Sequence, residues 1–254
     1  MQTILCDFIR KGVEDRTTLA KETGLRPNTV CDKINELITK KVLIETGKIT
    51  GRKGKPAMRL AFNTDHIRIP GVQLTPEGLF ICVGDLEGNV VESRALEDTS
   101  PDAFRAGVGE LIERFGVDRV PVICVAASGL IDTKAGLIIK SYTFPEYEGM
   151  NVGSFLELES EVVVMRSNTA MAFAEMKAGK ARQAKNLIFV HIGSGVGCSI
   201  VINGQCVTGH RGMAGEIGHL SLNEKGPGCK CGMRGCVEAV ASETGIIREV
   251  KRQL

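Results

Sequence analysis

Three cysteines near the end of the chain, Cys229, Cys231 and Cys236, lie within eight positions of one another. With the imidazole of His219 they offer three soft thiolates and one nitrogen, a set that suits tetrahedral Zn²⁺. Four protein ligands leave no position open for water, so the predicted role of the ion is structural. The alternative is three reduced cysteines in an ordinary loop. Glycines that allow the tight chain reversals needed by converging thiolates are Gly228, Gly232 and Gly235.

The chain around this cluster has the composition of an ordinary α/β protein. It has 254 residues, 43% of them hydrophobic and 24% charged, a length typical of two domains or one large one. It contains no long apolar run and no signal-peptide pattern, so we expect a cytoplasmic protein without a membrane helix. The nine cysteines, an odd number, do not indicate a disulfide framework. Most of the six outside the cluster are interpreted as small buried apolar residues.

Charge is distributed unevenly along the chain. Residues 1–60 hold 13 Lys and Arg against 7 Asp and Glu, whereas residues 61–254 hold 19 against 23. The first segment therefore carries a net charge of +6 and the second −4, although the whole chain is only +2. A basic segment on an acidic remainder indicates a polyanion as the partner of the first segment alone.

The first segment has the pattern of three short helices. The second is predicted over 19–23 with Thr17 or Thr18 as its N-cap, and it stops at Gly24. The third begins at Pro27, and the short turn over 24–26 is typical of a helix-turn-helix. The apolar positions of the first and third helices are Ile4, Leu5, Phe8, Ile9, Val30, Ile34, Leu37 and Ile38.

The third helix and a following hairpin supply the predicted DNA contacts. The hairpin starts with an apolar run at 42–44 and a turn-prone stretch at 45–47, has a basic tip at 51–56, and returns over 58–62. It is interpreted as the wing of a winged helix-turn-helix domain covering residues 1–64. The alternative is a three-helix module that binds protein, which the basic wing disfavours. The candidate DNA-binding residues are Arg26, Asn28, Thr29, Lys33, Arg52, Lys53 and Lys55.

Strands and helices alternate from about residue 67 onward, which indicates an α/β architecture. Residues 128–132 are interpreted as a turn, and Asn203-Gly204 as a hairpin turn. The predicted strands are 69–74, 79–83, 89–93, 120–126, 161–165, 186–192 and 197–202, and the predicted helices are 101–115, 152–158, 170–178 and 242–254.

Three motifs, HIGSGVG at 191–197, GEIGH at 215–219 and CKCGMRGCVE at 229–238, resemble the ROK family of repressors, open reading frames and sugar kinases. The resemblance implies an actin-like, hexokinase-like (ribonuclease H-like) ATPase-type domain over residues 67–254. It also supports the zinc assignment. Members of the family continue well beyond residue 254, so we expect a C-terminally incomplete domain. A winged helix before this domain resembles the family's repressor branch, which includes regulators of N-acetylglucosamine and glucose metabolism.

The same resemblance implies a sugar pocket formed by Asn168, Glu216, His219 and Glu238, with Gly129 in a loop beside the sugar. Carboxylates, an amide and an imidazole suit this role because they make directional hydrogen bonds to vicinal hydroxyls. The alternative is that the two glutamates are ordinary surface carboxylates.

The residues that the resemblance requires for phosphoryl transfer are missing. Kinases of the family have an Asp-x-Gly-Gly-Thr phosphate loop, and the matching stretch at 73–77 contains no glycine but has Pro76 and Glu77. The family's catalytic Asp follows the pocket Asn, and that position is Thr169, whose hydroxyl is too weak a base. The glycine-rich run at 193–197 does resemble a second phosphate loop. We therefore predict no catalytic residues.

The sequence as a whole predicts a regulator, most simply a repressor, of carbohydrate metabolism. It would bind a double-stranded operator as a homodimer or higher oligomer and sense a sugar or sugar phosphate. One alternative is a sugar kinase that phosphorylates hexoses or N-acetylhexosamines with an appended domain. The other is a zinc-dependent scaffold that senses no sugar.

Overall fold

A computed structural model of the chain describes residues 1–49 and 56–254. It begins with three helices and a hairpin: α1 (Gln2–Arg10), α2 (Arg16–Thr23), α3 (Pro27–Thr39), β1 (Leu43–Ile49) and β2 (Ala57–Phe62). Apart from Ile4, which is exposed, the predicted apolar stripes meet in one cluster, because residues three or four apart share a helix face. Its fully buried members include Leu5, Leu19, Val30, Ile34 and Leu43.

The start of α2 differs from the sequence prediction. Its N-cap is Asp15 rather than Thr17 or Thr18, and the Asp15 carboxylate accepts hydrogen bonds from the Thr18 backbone N–H at 2.8 Å and the Thr18 hydroxyl at 2.7 Å. A carboxylate forms stronger bonds there than a hydroxyl and complements the positive end of the helix dipole. The helix therefore begins at Arg16, earlier than predicted, and ends as predicted at Gly24, which has φ of 69°.

The hairpin predicted after α3 is present, with β1 and β2 paired antiparallel. The predicted turn at 45–47 is wrong, because these residues belong to β1, where a bulge between Glu45 and Gly47 accommodates them. Three of the predicted DNA-binding residues, Arg52, Lys53 and Lys55, lie outside the described residues.

Strands and helices alternate through the rest of the chain, which confirms the predicted α/β class. The elements are β3 (Ile69–Thr75), β4 (Gly78–Gly84), β5 (Val90–Leu96), α4 (Pro101–Phe115), β6 (Val122–Ala127), β7 (Leu130–Asp132), β8 (Leu137–Lys140), β9 (Met150–Asn151), α5 (Val152–Leu156), β10 (Glu161–Arg166), α6 (Ser167–Lys177), β11 (Leu187–Ile192), β12 (Val196–Ile202), β13 (Gln205–Cys206), α7 (Val237–Ala241) and α8 (Glu243–Gln253).

A five-stranded sheet in the order β10-β6-β3-β4-β5 forms the centre of this region. β10, β6 and β3 are parallel, whereas β3, β4 and β5 form an antiparallel meander. Alternate residues of these strands, such as Val72, Ile123 and Val164, pack with Phe104 and Leu111 of α4 in the larger buried cluster. Parallel strands end at the same edge of a sheet, so the segments after β6 and β10 lie side by side, where open α/β sheets bind ligands.

Two smaller sheets, β7-β8-β9 and β11-β12-β13, complete the region. Residues 128–132, predicted as a turn, contain β7, which pairs with β8. The predicted hairpin turn joins β12 to β13, and Asn203 and Gly204 both have positive φ, 52° and 76°. That combination is typical of a type I′ turn.

The N-terminal helices contact the main sheet at the β4–β5 turn, residues 85–89. The side chain of Leu86 packs against the N-terminal cluster. A second contact lies just before β3. The Arg68 backbone N–H donates to the Arg119 carbonyl oxygen at 2.7 Å, and Arg119 Nε donates to the His66 carbonyl oxygen at 2.8 Å. The segment between β2 and β3 is thereby fixed to the loop after α4. Within the described ranges, no helix has both the length and the apolar character needed to cross a membrane.

Candidate metal centre and sugar pocket

The four predicted zinc ligands, His219, Cys229, Cys231 and Cys236, meet in one cluster whose ligand atoms all lie within 4.8 Å of one another. Cys229 Sγ is 3.7 Å from His219 Nδ1, and Cys231 Sγ is 3.7 Å from Cys236 Sγ. Tetrahedral Zn–S bonds of about 2.3 Å place two sulfurs roughly 3.8 Å apart, whereas a disulfide needs about 2.0 Å. Both the spacing and the donor types therefore fit Zn²⁺.

Glycines allow the cysteine loop to turn back on itself. Gly232 and Gly235 have φ of 92° and 65°, and a Cβ on Gly235 would lie 1.8 Å from the Asn223 carbonyl oxygen. The Cys229 backbone N–H donates to the Met233 carbonyl oxygen at 2.9 Å. This bond closes the loop over 229–233, which holds the first two cysteines and precedes the third. Backbone hydrogen bonds and glycine conformations therefore contribute to holding the thiols together.

The pKa values of the three thiols are shifted in different directions, upward for Cys229 and Cys236 and downward for Cys231. Desolvation, reinforced by the neighbouring thiols of Cys231 and Cys229, raises the pKa of Cys236 to about 12. Only a thiolate is a metal ligand, so a cation bound here must displace protons from the cluster.

The imidazole of His219 joins the metal cluster to the predicted sugar pocket. Its Nδ1 faces Cys229, whereas its Nε2 lies 3.8 Å from Glu216 Oε2. A His that ligates a metal through one nitrogen keeps the other for a hydrogen bond. His219 Nε2 and Glu216 Oε2 are too far apart to bond directly, so both remain able to contact a hydroxyl placed between them.

Glu216 and His219 are held against β12 by two glycines. A Cβ on Gly215 would lie 2.4 Å from the Cys198 carbonyl oxygen, and one on Gly218 would lie 2.0 Å from the Val196 carbonyl oxygen. Any larger residue would therefore push the loop away from the strand. This close approach fixes the short 3-10 helix Ile217–His219 beside the start of β12.

The other two predicted sugar residues contact the same strand. Glu238 Oε2 accepts a hydrogen bond from the Val196 backbone N–H at 3.1 Å. Asn168 lies against Gly197, where a Cβ would be 1.8 Å from Asn168 Nδ2. The structure thus brings Asn168, Glu216, His219 and Glu238 to the first residues of β12, although they are far apart in the sequence.

Gly129 lies just beyond the end of β6, as Asn168 lies just beyond the end of β10. Its φ is 127°, and a Cβ would be 2.2 Å from the Lys140 carbonyl oxygen. Only glycine fits this corner, which brings the β6–β7 connection close to β8. The β6 and β10 ends lie side by side, as the ligand-binding edge of an α/β sheet requires.

Sequence reasoning missed Arg166, the last residue of β10, two positions before Asn168. Its guanidinium forms an ion pair with Glu216 Oε1 and donates to the Ala214 carbonyl oxygen at 2.5 Å. The available signal was a basic residue that follows four apolar residues at the end of a strand. Periodicity alone could not identify its partner, which is 50 positions further along the chain.

The structure also describes the two places where the sequence predicts a departure from the family's kinases. Residues 73–77 form the end of β3 and a tight hairpin, in which Thr75 Oγ1 donates to the Gly78 carbonyl oxygen at 3.1 Å. Thr169 Oγ1 lies 3.2 Å from Ser199 Oγ. The residue after Asn168 therefore supplies a hydroxyl rather than a carboxylate.

The predicted DNA contacts on α3 differ in exposure. Arg26 and Asn28 are exposed at the start of the helix, whereas Thr29 and Lys33 are half-buried. Lys33 Nζ is 2.6 Å from Glu36 Oε1, so its charge is already paired. Of the predicted DNA contacts on α3, the accessible ones therefore lie at the start of the helix.

Comparison with known proteins identifies the family. The model of the ROK family matches residues 71–254, and the chain therefore belongs to the ROK family. It is 27% identical over 259 residues to the xylose repressor of Bacillus spizizenii, an alignment covering 98% of this chain and 67% of that protein. It is also 30% identical over 167 residues to the glucokinase of Thermotoga maritima, covering 65% of this chain and 53% of that protein.

One solved structure matches both parts of the fold. A ROK family transcriptional regulator, described as a homolog of the E. coli MLC protein, aligns with a TM-score of 0.78 at 25% identity. The match covers 94% of this chain and 63% of that one. The chain spans about two thirds or less of the length of these relatives. The resemblance to the repressor branch includes the N-terminal helices, and the cysteine cluster is typical of the family's zinc site.

Proposed function

We propose that this chain is a DNA-binding transcription regulator of carbohydrate metabolism, acting as a repressor, that responds to a sugar or sugar phosphate. The observation that carries the proposal is that three helices and a hairpin precede a ROK domain in which the four proposed sugar ligands meet at the start of β12. The xylose repressor alignment supports it, because it covers 98% of the chain, whereas the glucokinase alignment covers 65%.

The pocket offers groups for a polyhydroxylated ligand. One hydroxyl can donate to Glu216 Oε2 while it accepts from His219 Nε2–H, across the 3.8 Å between these atoms. Asn168 and Glu238 supply further donors and acceptors over the same strand. Zn²⁺ held by His219 and the three cysteines would stabilise the loop that carries these groups, without an open coordination position of its own.

The same site is not expected to transfer phosphate. Thr169 is a hydroxyl where a kinase of the family has its base, and an alcohol does not take a substrate proton at neutral pH. In the 73–77 hairpin, Pro76 lacks an N–H and the exposed carboxylate of Glu77 repels phosphate. Sugar binding is therefore not followed by a chemical step. We propose that it instead changes the relative placement of the two DNA-binding parts of a dimer.

Fluorescence anisotropy with DNA from the adjacent promoter tests the DNA-binding half. We expect binding that weakens with salt, and a loss of at least about tenfold in affinity for Arg52→Ala combined with Lys53→Ala. A matched control removes two exposed cations elsewhere, Lys180→Ala with Arg182→Ala, and should leave the affinity unchanged. Salt-insensitive binding, or equal losses in both double variants, would contradict the proposal.

Isothermal titration calorimetry tests the sensing half. The panel contains hexoses, pentoses, N-acetylhexosamines and their phosphates, and wild type is compared with Glu216→Gln. Binding that Glu216→Gln weakens at least about tenfold but leaves measurable supports the proposal, whereas a zinc-loaded protein that binds nothing in the panel favours a scaffold that senses no sugar.

The glucokinase of Thermotoga maritima favours a second candidate, a sugar kinase. Incubation with ATP, Mg²⁺ and the same sugars distinguishes the two. Production of any sugar phosphate above a Glu216→Gln control would show that the protein is a sugar kinase. It would also reject the proposal that the ROK domain has no kinase activity.

A further inference from the structure

We propose that Arg166 is a positioning residue of the sugar pocket, which fixes the Glu216 carboxylate and the loop that carries it. The consequence for sugar affinity rests on the proposed function, but the effect on the loop does not. Arg166 ends β10 at the ligand-binding edge of the main sheet, and its side chain is only 13% exposed. A guanidinium this deeply buried needs acceptors, and the structure places them all on one loop.

The guanidinium serves three acceptors between residues 212 and 216. Nη2 forms the ion pair with Glu216 Oε1, and Nη1 donates to the carbonyl oxygens of Ala214 at 2.5 Å and Gly212 at 3.4 Å. A planar fork with fixed N–H directions can serve a carboxylate and two carbonyls together. An ammonium has a single nitrogen and cannot span the same groups. One side chain thus joins the end of β10 to the pocket loop.

Backbone contacts of the loop act alongside Arg166, and the Ala214 N–H donates to the Thr208 carbonyl oxygen at 3.1 Å. Gly212 and Gly215 lie directly against backbone, where a Cβ would be 2.8 Å from the Ile131 carbonyl oxygen and 2.4 Å from the Cys198 carbonyl oxygen. These contacts exclude side chains, so they limit how close the loop can come but supply no side-chain bonds. Arg166 supplies bonds, because each of its contacts is directional and charge-assisted.

The ion pair also determines which Glu216 oxygen is available to a ligand. Oε1 is committed to Arg166, so the carboxylate cannot rotate freely and Oε2 stays 3.8 Å from His219 Nε2. A hydroxyl that lies to one side of these two atoms can reach both of them, because each needs only about 2.8 Å for a hydrogen bond. The three contacts of the Arg166 guanidinium are all with residues 212–216, so we expect Arg166 to affect the ligand through Glu216.

Hydrogen exchange on the full, zinc-loaded chain tests the assignment without any ligand. We expect peptides covering 209–219 to exchange at least about tenfold faster in Arg166→Gln than in wild type, with other peptides and the zinc content unchanged. The matched control is Arg114→Gln, which breaks another Arg–Glu ion pair of the same region, to Glu92 at 2.8 Å, and should not alter these peptides. Unchanged exchange over 209–219 in Arg166→Gln would overturn the proposal.

Arg166→Lys decides the outcome if Arg166→Gln unfolds or loses zinc. Faster exchange confined to 209–219 in Arg166→Lys supports the positioning role. Either wild-type exchange or exchange raised across the whole domain in Arg166→Lys overturns it.

Calorimetry then separates this inference from the proposed function. With a sugar that wild type binds, Arg166→Lys should weaken the affinity at least about tenfold, but it should have no further effect in a Glu216→Gln background. Independent, additive losses would show that Arg166 does not act through Glu216 and would overturn the assignment. If wild type binds no sugar, the proposed function fails, and the exchange experiment still decides the role of Arg166.

Discussion

Arg10 Nη2 donates to the carbonyl oxygen of Leu86 at 3.2 Å, which joins the first helix of the chain to the β4–β5 turn. The turn is itself well ordered, because Asp85 Oδ1 accepts from the backbone N–H groups of Glu87 and Asn89 at 2.8 and 2.9 Å. β3 and β4 connect this contact to the opposite edge of the sheet, where the pocket lies. Under the proposed function, we expect these strands to couple a sugar at that edge to the N-terminal helices.

We predict that Leu86→Ala weakens this coupling. Truncation removes the side chain that packs on the N-terminal cluster, so the helices no longer follow the turn closely. In anisotropy titrations, the affinity for DNA without sugar should stay within about threefold of wild type, while the change caused by sugar should fall at least about fivefold. Glu87→Ala, on the adjacent exposed residue, is the control and should keep the full response. An undiminished response in Leu86→Ala would exclude this path.

Loss of the metal should loosen the pocket before it unfolds the main sheet. We expect about one Zn²⁺ per chain by elemental analysis, and its removal by a chelator should lower the melting temperature by several degrees and abolish sugar binding. Cys236→Ser should reproduce both effects, whereas Cys206→Ser, outside the cluster, should retain the metal. Full zinc content in Cys236→Ser would contradict the assigned ligand set.

Gly197→Ala should impair sugar binding specifically. The new Cβ would lie 1.8 Å from Asn168 Nδ2, so the amide must swing away from the pocket. We expect at least about tenfold weaker sugar binding by calorimetry, with zinc content unchanged. Gly109→Ala serves as the control, because a Cβ there meets nothing within 4 Å, and this change in α4 should be neutral or stabilise the protein by up to about 1 kcal/mol. Equal affinities for the two variants would remove Asn168 from the pocket.

Asp15→Ala should destabilise the helix-turn-helix. It removes the carboxylate that caps α2, at a cost of about 1–2 kcal/mol in the free energy of unfolding. Chemical denaturation followed by circular dichroism measures the change. Thr17→Ala, at an exposed position that is one of the two predicted caps, should change stability by less than about 0.5 kcal/mol. The reverse order of effects would restore the original prediction.

The errors of the sequence predictions have a common cause. Asp15 was overlooked as a cap because Asp, Thr17 and Thr18 are all acceptable there by residue type, and the backbone path decides which side chain reaches the free N–H. The sequence predicts a turn at β7 because a strand of three residues is too short to show alternation of apolar and polar residues. Local patterns were thus sufficient for long elements and insufficient for short ones.

The sequence by itself determined the α/β class, the helix-turn-helix, the hairpin and the four cysteine and histidine ligands. These depend on periodicity, capping and close spacing, which act over a few residues. Only the tertiary structure decided that Asn168, Glu216, His219 and Glu238 share the start of β12, and that Arg166 holds Glu216. Those relationships join residues far apart in the chain through hydrogen bonds and glycine contacts, and they exist only once the parallel strands have brought their ends to one edge.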